Sequence, residues 1–293
     1  YLLNIAKPKV AVLTAIGNLP VHLEFYADPQ AVVREKSKLI ENLYTDNFAV
    51  LNFDDEETIV LKEKTRGKIM TFGFNEGADI RITNFENRLE DGKLEESGIF
   101  FKLEYKRNFV PVVLRGVLGK SHAYATAAAT AVGLIYDLNL VEIAERLANN
   151  YQPAKRRMNL ISGKKKIYII DDSYNASLLS MTNALQTLKD LGGKRRVAVL
   201  GDMLELGEYS NEAHEKIGKL AAESVDILIT VGFLAKIIAE SAKNSGLPME
   251  KIFSFENTEE ALATVRKLVK AGDIVLIKGS RAIRLDKIAD AMV

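Results

Sequence analysis

The sequence predicts an α/β protein whose second half is a mainly parallel sheet with helices on both faces. Three observations carry this. Short, apolar, β-rich runs recur after residue 160, separated by helix-patterned stretches. The runs lack the polar alternation of a half-exposed sheet, as expected of strands buried on both sides. A linker-like stretch, Tyr151-Gln152-Pro153 followed by the basic Lys155-Arg156-Arg157, sets this half apart from a more mixed first half. The boundary falls near Pro153, giving domains 1–153 and 154–293, and 293 residues are ample for two hydrophobic cores.

Taken in order, Val10 to Ile16 predicts a strand. Pro29 to Leu43 places Val32, Val33, Leu39, Ile40 and Leu43 at helical spacing, so an amphipathic helix is expected there. Phe48 to Phe53 predicts a second strand. From Lys68 to Leu114 the pattern changes to short strands punctuated by Asn75-Glu76-Gly77 and Asp91-Gly92, and a small antiparallel segment fits it. Ser121 to Tyr136 is an alanine-rich helix, followed by Leu140 to Leu147. In the second half the strands are Ile167 to Ile170, Val197 to Leu200, Ile227 to Val231, Ile252 to Phe255 and Ile274 to Ile277. Helices fall around Ser180 to Leu191, Asn211 to Glu223, Ala235 to Asn244 and Thr258 to Val269. Such alternation is the pattern of a parallel sheet.

Basic and acidic side chains nearly balance, leaving a net charge of +1. That argues against a nucleic-acid partner and for a balanced or small-molecule one. The absence of cysteine removes disulfide and thiolate chemistry and is compatible with a cytoplasmic location. No run approaches the ~18 apolar residues that read as a membrane span, so no membrane insertion is expected. No signal peptide is visible. The chain starts at Tyr1, and Leu2 and Leu3 lead almost directly into Pro8 and the first strand, which reads as the start of a fragment.

Ligands of an open parallel sheet bind beyond the carboxyl ends of its strands. Here those ends carry Asp171-Asp172-Ser173-Tyr174-Asn175, Gly201-Asp202-Met203, Gly232 and Lys278-Gly279-Ser280-Arg281. Each cluster alone is also ordinary turn and cap chemistry; together on one edge they favour a site. In the first half, Lys36 falls on the apolar stripe of its helix and must snorkel, pair or react. His22, in Val21-His22-Leu23-Glu24, is a structural histidine or a metal ligand. Leu114-Arg115-Gly116-Val117-Leu118-Gly119-Lys120-Ser121 imitates a phosphate-binding loop, but Leu114 stands where the first glycine is required, and no intact P-loop occurs in the 293 residues.

Several motifs in order resemble those of the Mur ligase family, and within it the branch that adds D-alanyl-D-alanine. They are Asp171-Asp172-Ser173-Tyr174-Asn175-Ala176-Ser177, then Leu200-Gly201-Asp202-Met203-Leu204-Glu205-Leu206-Gly207 with His214, and Lys278-Gly279-Ser280-Arg281. Arg157-Met158-Asn159 resembles the arginine motif opening the C-terminal domain. Thr14-Ala15-Ile16-Gly17 leading to His22-Leu23-Glu24 is similar to T-N-I-G-x-x-H-L-E. Ala15 departs from the asparagine of that motif, and the interval to His22 is longer than usual.

The resemblance implies the remainder of a central ATPase domain, without its P-loop portion, followed by a Rossmann-like C-terminal domain. It implies an ATP-dependent peptide ligase of peptidoglycan and cell-wall synthesis, using magnesium, with UDP-N-acetylmuramoyl-tripeptide and D-alanyl-D-alanine as partners. Such ligases are usually monomers, and this piece alone is expected to be inactive. By the same resemblance His22 is a Mg2+ ligand, and Lys36 becomes a carbamate that supports the metal. His122 stands near the adenine, where the family usually has asparagine. Arg157 and Asp172 contact the nucleotide, Asp172 at the ribose hydroxyls, with Tyr174 and Asn175 bordering the pocket. Lys278, Ser280 and Arg281 face the substrates or their phosphates, and Asp202 lies near the incoming amine. The other readings are a different Mur-type or folylpolyglutamate-synthetase-like ligase, and a non-catalytic nucleotide- or peptide-binding module.

Overall fold

The computed structural model describes residues 2–5 and 7–293. Tyr1, where the sequence reads as a fragment's start, lies outside the described residues. The chain forms two compact units. One comprises Tyr1–Glu86, Ile99–Leu114 and Lys120–Tyr151; the other comprises Asn87–Gly98, Arg115–Gly119 and Gln152–Val293. Among the described residues no helix is long and apolar enough to cross a membrane.

In the first unit the elements run α1 (Leu2–Ile5), β1 (Val10–Leu13), α2 (Pro29–Glu41), β2 (Phe48–Asn52), α3 (Glu56–Ile59), β3 (Lys68–Gly73), β4 (Ile80–Arg88), β5 (Gly98–Tyr105), β6 (Asn108–Arg115), α4 (Lys120–Ile135) and α5 (Leu140–Asn150). The six strands form one sheet in sequence order. β1 ends at Leu13, three residues short of the expected Ile16, because the Asn52 side-chain amide donates to the Thr14 carbonyl at 2.7 Å. α2 starts where Asp28 accepts the Ala31 amide at 2.6 Å and Pro29 opens the first turn, both standard start signals. Its apolar stripe then packs Ile40 and Leu43 on Ala11, Ala49 and Leu51, and Val33 on Ile16 and Leu61. α4 packs on β2 and β3. Its buried residues are Ala123, Thr126, Ala127, Ala128, Thr130 and Ala131, small side chains that let a helix lie close to a sheet.

The expected antiparallel segment is corrected in part. β3 pairs with β2 in parallel, and the start of β4 pairs in parallel with the end of β3. Only β5 and β6 are joined by a two-residue turn, Lys106-Arg107, both at positive φ (47° and 66°), a link that can connect only antiparallel strands. Turn residues mark where a strand ends. They do not fix which partner it finds, because pairing is a long-range matter.

The second unit contains β7 (Asn159–Gly163), β8 (Ile167–Asp172), α6 (Leu178–Asp190), β9 (Arg196–Gly201), α7 (Ser210–Ser224), β10 (Ile227–Val231), α8 (Ala235–Asn244), β11 (Ile252–Phe255), α9 (Thr258–Leu268), β12 (Ile274–Lys278) and α10 (Asp286–Met292). The strand order is β11-β10-β9-β12-β8-β7, parallel throughout except for β7. Ile167, Val197, Val199, Ile229, Val275 and Ile277 form one buried face with Ala261 and Val265 of α9 and Ile288 and Met292 of α10. Each such Ile, Val or Met side chain contributes roughly 1.5–3 kcal/mol by leaving water. β12 inserts between β8 and β9, so the loops that follow these three strands become neighbours.

Candidate active site

In the first unit the loop after β1 is held by the last residue of β2 and the segment that leads into α3. Asp55 accepts the amides of Ile16 (3.2 Å) and Gly17 (2.9 Å) and the Thr58 hydroxyl (2.6 Å), while Asn52 holds Thr14. His22 follows this loop on left-handed backbone (φ 67°), with its side chain exposed. Lys36 is half-buried on the α2 stripe with Val32, Val33 and Ile40, as its spacing predicts. His122 Nδ1 and the Tyr151 hydroxyl are 2.7 Å apart, and their rings meet edge-on; burial pushes the Tyr151 phenol up to about 12. Among the described residues no three His, Cys, Asp or Glu side chains cluster as a ready-made metal site.

The sequence reading missed Asp54 and Asp55. Asp54 accepts the amides of Phe74 (2.6 Å) and Asn75 (3.1 Å) and the Tyr124 hydroxyl (2.8 Å). Burial, then the bond to Asp54, pushes the Tyr124 phenol far up. The available signal was Asn52-Phe53-Asp54-Asp55 at a strand end, where unpaired loop amides need acceptors. In the imitation P-loop, Val117 and Leu118 are buried and the Gly119 amide donates to the Asn87 side chain at 2.7 Å.

In the second unit the carboxyl edge brings the predicted clusters together. Lys278 is in register with Asp172 on one side and Leu200 on the other. Gly201 and Gly279 stand back to back, and a Cβ on Gly279 would lie 3.0 Å from the Gly201 Cα. Glycine at both positions is what lets the loops after β9 and β12 touch. Across that contact the Ser280 amide donates to the Asp202 carbonyl at 2.9 Å, and the Leu204 amide donates to the Ser280 hydroxyl at 2.9 Å.

Not every predicted residue faces outward. Lys278, expected to face substrates or phosphates, is 1% exposed. Its ammonium donates to Asp172 (2.6 Å) and to the Asn175 carbonyl (2.9 Å). Asp172 is therefore occupied by Lys278 on one oxygen and by the Met158 amide (3.1 Å) on the other. Ser280 is likewise buried. Asp202 accepts the Ala235 amide at 2.7 Å and caps α8 from a neighbouring loop; burial pushes its carboxyl up, against the amides of Ala235, Leu234 and Phe233. Gly232 (φ 118°) makes room for this, since a Cβ there would lie 2.3 Å from an Asp202 oxygen. Burial also pushes Asp171 up, against the Ser173 hydroxyl (2.6 Å) and amide (3.1 Å) it binds.

His214 braces the same edge from α7. Its Nε2 accepts the Met203 amide at 3.0 Å and its Nδ1 lies 2.6 Å from the Ser210 carbonyl, so the proton sits on Nδ1 and the ring is neutral. Burial lowers its pKa accordingly. The groups left able to touch a ligand are Tyr174, Arg157 and Arg281, with Asn175 half-buried beside them. The guanidinium carbons of Arg157 and Arg281 lie 4.2 and 5.9 Å from the Tyr174 ring centroid. An aromatic ring with two guanidinium groups beside it suits a ligand with a flat ring and anionic oxygens.

Two family models match this chain: the Mur ligase middle domain over residues 1–133, and the Mur ligase glutamate ligase domain over residues 156–281. The chain belongs to the Mur ligase family. It is 27% identical over 294 residues to the UDP-N-acetylmuramoyl-tripeptide–D-alanyl-D-alanine ligase of Bacillus subtilis, covering 99% of this chain and 60% of that relative. Among solved structures it is similar to MurF from Acinetobacter baumannii, with 28% identity, a TM-score of 0.81, and 98% and 60% of the two chains covered. It is also similar to the Thermotoga maritima MurF ligase in complex with ADP, with 26% identity, a TM-score of 0.79, and 99% and 62% covered. The chain thus spans about three-fifths of the length of these family members.

Proposed function

We propose that this chain is the nucleotide- and amine-binding part of an ATP-dependent ligase that joins D-alanyl-D-alanine to UDP-N-acetylmuramoyl-tripeptide. The observation that carries this reading is the convergence of the loops after β8, β9 and β12 on one sheet edge, with Arg157 and Arg281 beside the Tyr174 ring. The likeness to D-alanyl-D-alanine-adding relatives over nearly the whole chain supports it. The division of labour is proposed to fall near Pro153, with residues 1–153 serving the phosphates and, through His122, the base, and 154–293 the nucleotide and amine.

In this reaction class the tripeptide carboxylate attacks the γ-phosphorus of ATP, ADP leaves, and an acyl phosphate forms. The amine of D-alanyl-D-alanine then attacks the acyl carbon, phosphate leaves and the amine proton is lost. Arg157 and Tyr174 bind the nucleotide, with Asn175 at the pocket's border and His122 near the base. Arg281 neutralises anionic oxygens. Asp172 and Lys278, locked together, fix the shape of the edge, and Asp202 and Ser280 set the loop beside the incoming amine. His22 and a carbamate on Lys36 would provide two donors of a Mg2+ shell whose remaining ligands are phosphate oxygens and water. Bound Mg2+ would supply charge neutralisation on the phosphates. The residues fit that group only in part, because Lys36 can ligate a cation only once carbamylated. A cytoplasmic, monomeric enzyme is part of the same proposal.

The test is phosphate release by the complete gene product. It should require ATP, UDP-N-acetylmuramoyl-tripeptide and D-alanyl-D-alanine together. Release with a single amino acid as acceptor and none with the dipeptide would sink the reading.

A further inference from the structure

We propose that Asp286 is a positioning residue whose buried carboxylate sets Arg281 and, through Arg156, the Tyr174 loop for ligand contact. This rests on the proposed ligand roles of Tyr174 and Arg281; the placement of those groups is tested separately below.

Asp286 opens α10 and is 3% exposed. Guanidinium groups from separate loop positions reach it. Arg156 Nη1 donates to Oδ2 at 2.6 Å, Arg284 Nε donates to Oδ1 at 3.2 Å, and Arg281 Nη1 lies 3.7 Å from Oδ2. Arg156 and Arg284 both stand on left-handed backbone, at φ 62° and 61°. That conformation costs a non-glycine residue about 1–3 kcal/mol and persists only where surrounding contacts hold it. Here both strained residues aim their side chains at one carboxylate. Burial pushes that carboxyl up, but the bond from Arg284 and the charges of Arg156, Arg284 and Arg281 outweigh burial, so it sits below the ordinary value.

The consequence reaches Tyr174 by two routes. The Arg156 carbonyl accepts the Tyr174 amide at 3.2 Å, fixing that loop's backbone. Arg281, held back by Asp286, keeps its guanidinium beside the Tyr174 ring. Without the carboxylate, Arg156 would keep only Asp290, to which its Nη2 donates at 3.0 Å, and Arg281 and Arg284 would lose the anion they share with it.

The test compares Asp286→Asn with Asp273→Asn. Asp273 is also buried (3% exposed) and also binds an arginine, Arg195, at 2.6 and 2.9 Å, but at the opposite, amino edge of the same sheet. Both variants should lower Tm. Only Asp286→Asn should raise nitration of Tyr174 by tetranitromethane, read by mass spectrometry on the 293-residue chain, by about two- to threefold. Only Asp286→Asn should weaken ADP binding to the complete gene product, by about five- to tenfold, the loss of one well-placed charged contact. Asp286→Glu should recover most of both. If Asp286→Asn changes neither readout beyond Asp273→Asn, the positioning role is overturned. If nitration rises but the unsubstituted protein binds no ADP, positioning stands and the nucleotide reading falls.

Discussion

At Lys36 a side chain that carries charge in water lies on the buried stripe of α2 beside Val32, Val33 and Ile40. Carbamylation would turn that cation into an anion able to support a metal. Lys36→Ala in the complete enzyme is expected to lose activity by about two orders of magnitude, the scale of removing one electrostatic stabiliser, and added bicarbonate should not restore it. Unchanged turnover would remove the carbamate role. Lys278 and Asp172 make a different kind of statement. Their pair is almost wholly buried, so taking away one partner strands the other's charge. Lys278→Met should cost about 3–5 kcal/mol in chemical denaturation, and adding Asp172→Asn should return most of it. Strictly additive losses would show that the two do not act as a pair. Residue identity at the carboxyl edge was legible in the sequence, because Asp, Ser, Lys and Arg cluster there at fixed strand ends. Orientation was not. Nothing in the letters of Lys278-Gly279-Ser280-Arg281 says that the first and third point inward while the fourth stays in solvent.

Among the elements, β8, β9, β10 and β12 and their helices were readable because strands buried on both faces are short, mainly apolar runs, and the edge strand β11 still reads as Ile-Phe-Ser-Phe. β7 escaped notice: Asn159–Gly163 has only two apolar residues and lies at the sheet's margin. α10 escaped because seven residues after a Gly-Ser-Arg turn give too few helical repeats to register. The direction of β3 also escaped, since it depends on how the chain crosses back through α3 from the preceding strand β2, which turn residues do not record. α7 offers a test of its own through His214, which ties the helix to the loop after β9. Burial of the neutral ring lowers the pKa from 6.5, so the unfolded chain takes up the proton first as pH falls. Its contribution to stability is therefore complete above pH 6.5 and declines as pH drops from there toward the folded pKa. Asp202 and Asp171, whose pKa values are raised, act in the opposite sense at lower pH. Nitrogen NMR of the chain, which has three histidines, should show His214 still neutral with its proton on Nδ1 at pH 6. A ring protonated there would contradict the assignment.

Over the whole molecule, the 293 residues contain no intact phosphate-binding loop. By themselves they are expected to release no phosphate from ATP above background, even with both peptide substrates present. Steady turnover by this chain would mean that some other segment grips the triphosphate. The sequence marks one break in composition, near Pro153. Compactness follows a different rule, because Asn87–Gly98 and Arg115–Gly119 belong by their contacts to the unit formed by Gln152–Val293. Asp91 accepts from Tyr168 at 3.2 Å and pairs with Lys194, and the Leu118 amide donates to the Met158 carbonyl at 3.0 Å. These are non-local pairings between side-chain and backbone polar groups, which leave no trace in local pattern.

Those two borrowed islands limit how the protein can be recombined. A cassette cut at Pro153 and grafted behind a different ligase front would leave Asp91 and Leu118 behind, and with them the partners of Tyr168 and Met158. Chimeras that transplant the islands along with the tail should fold more readily than those that swap the tail alone.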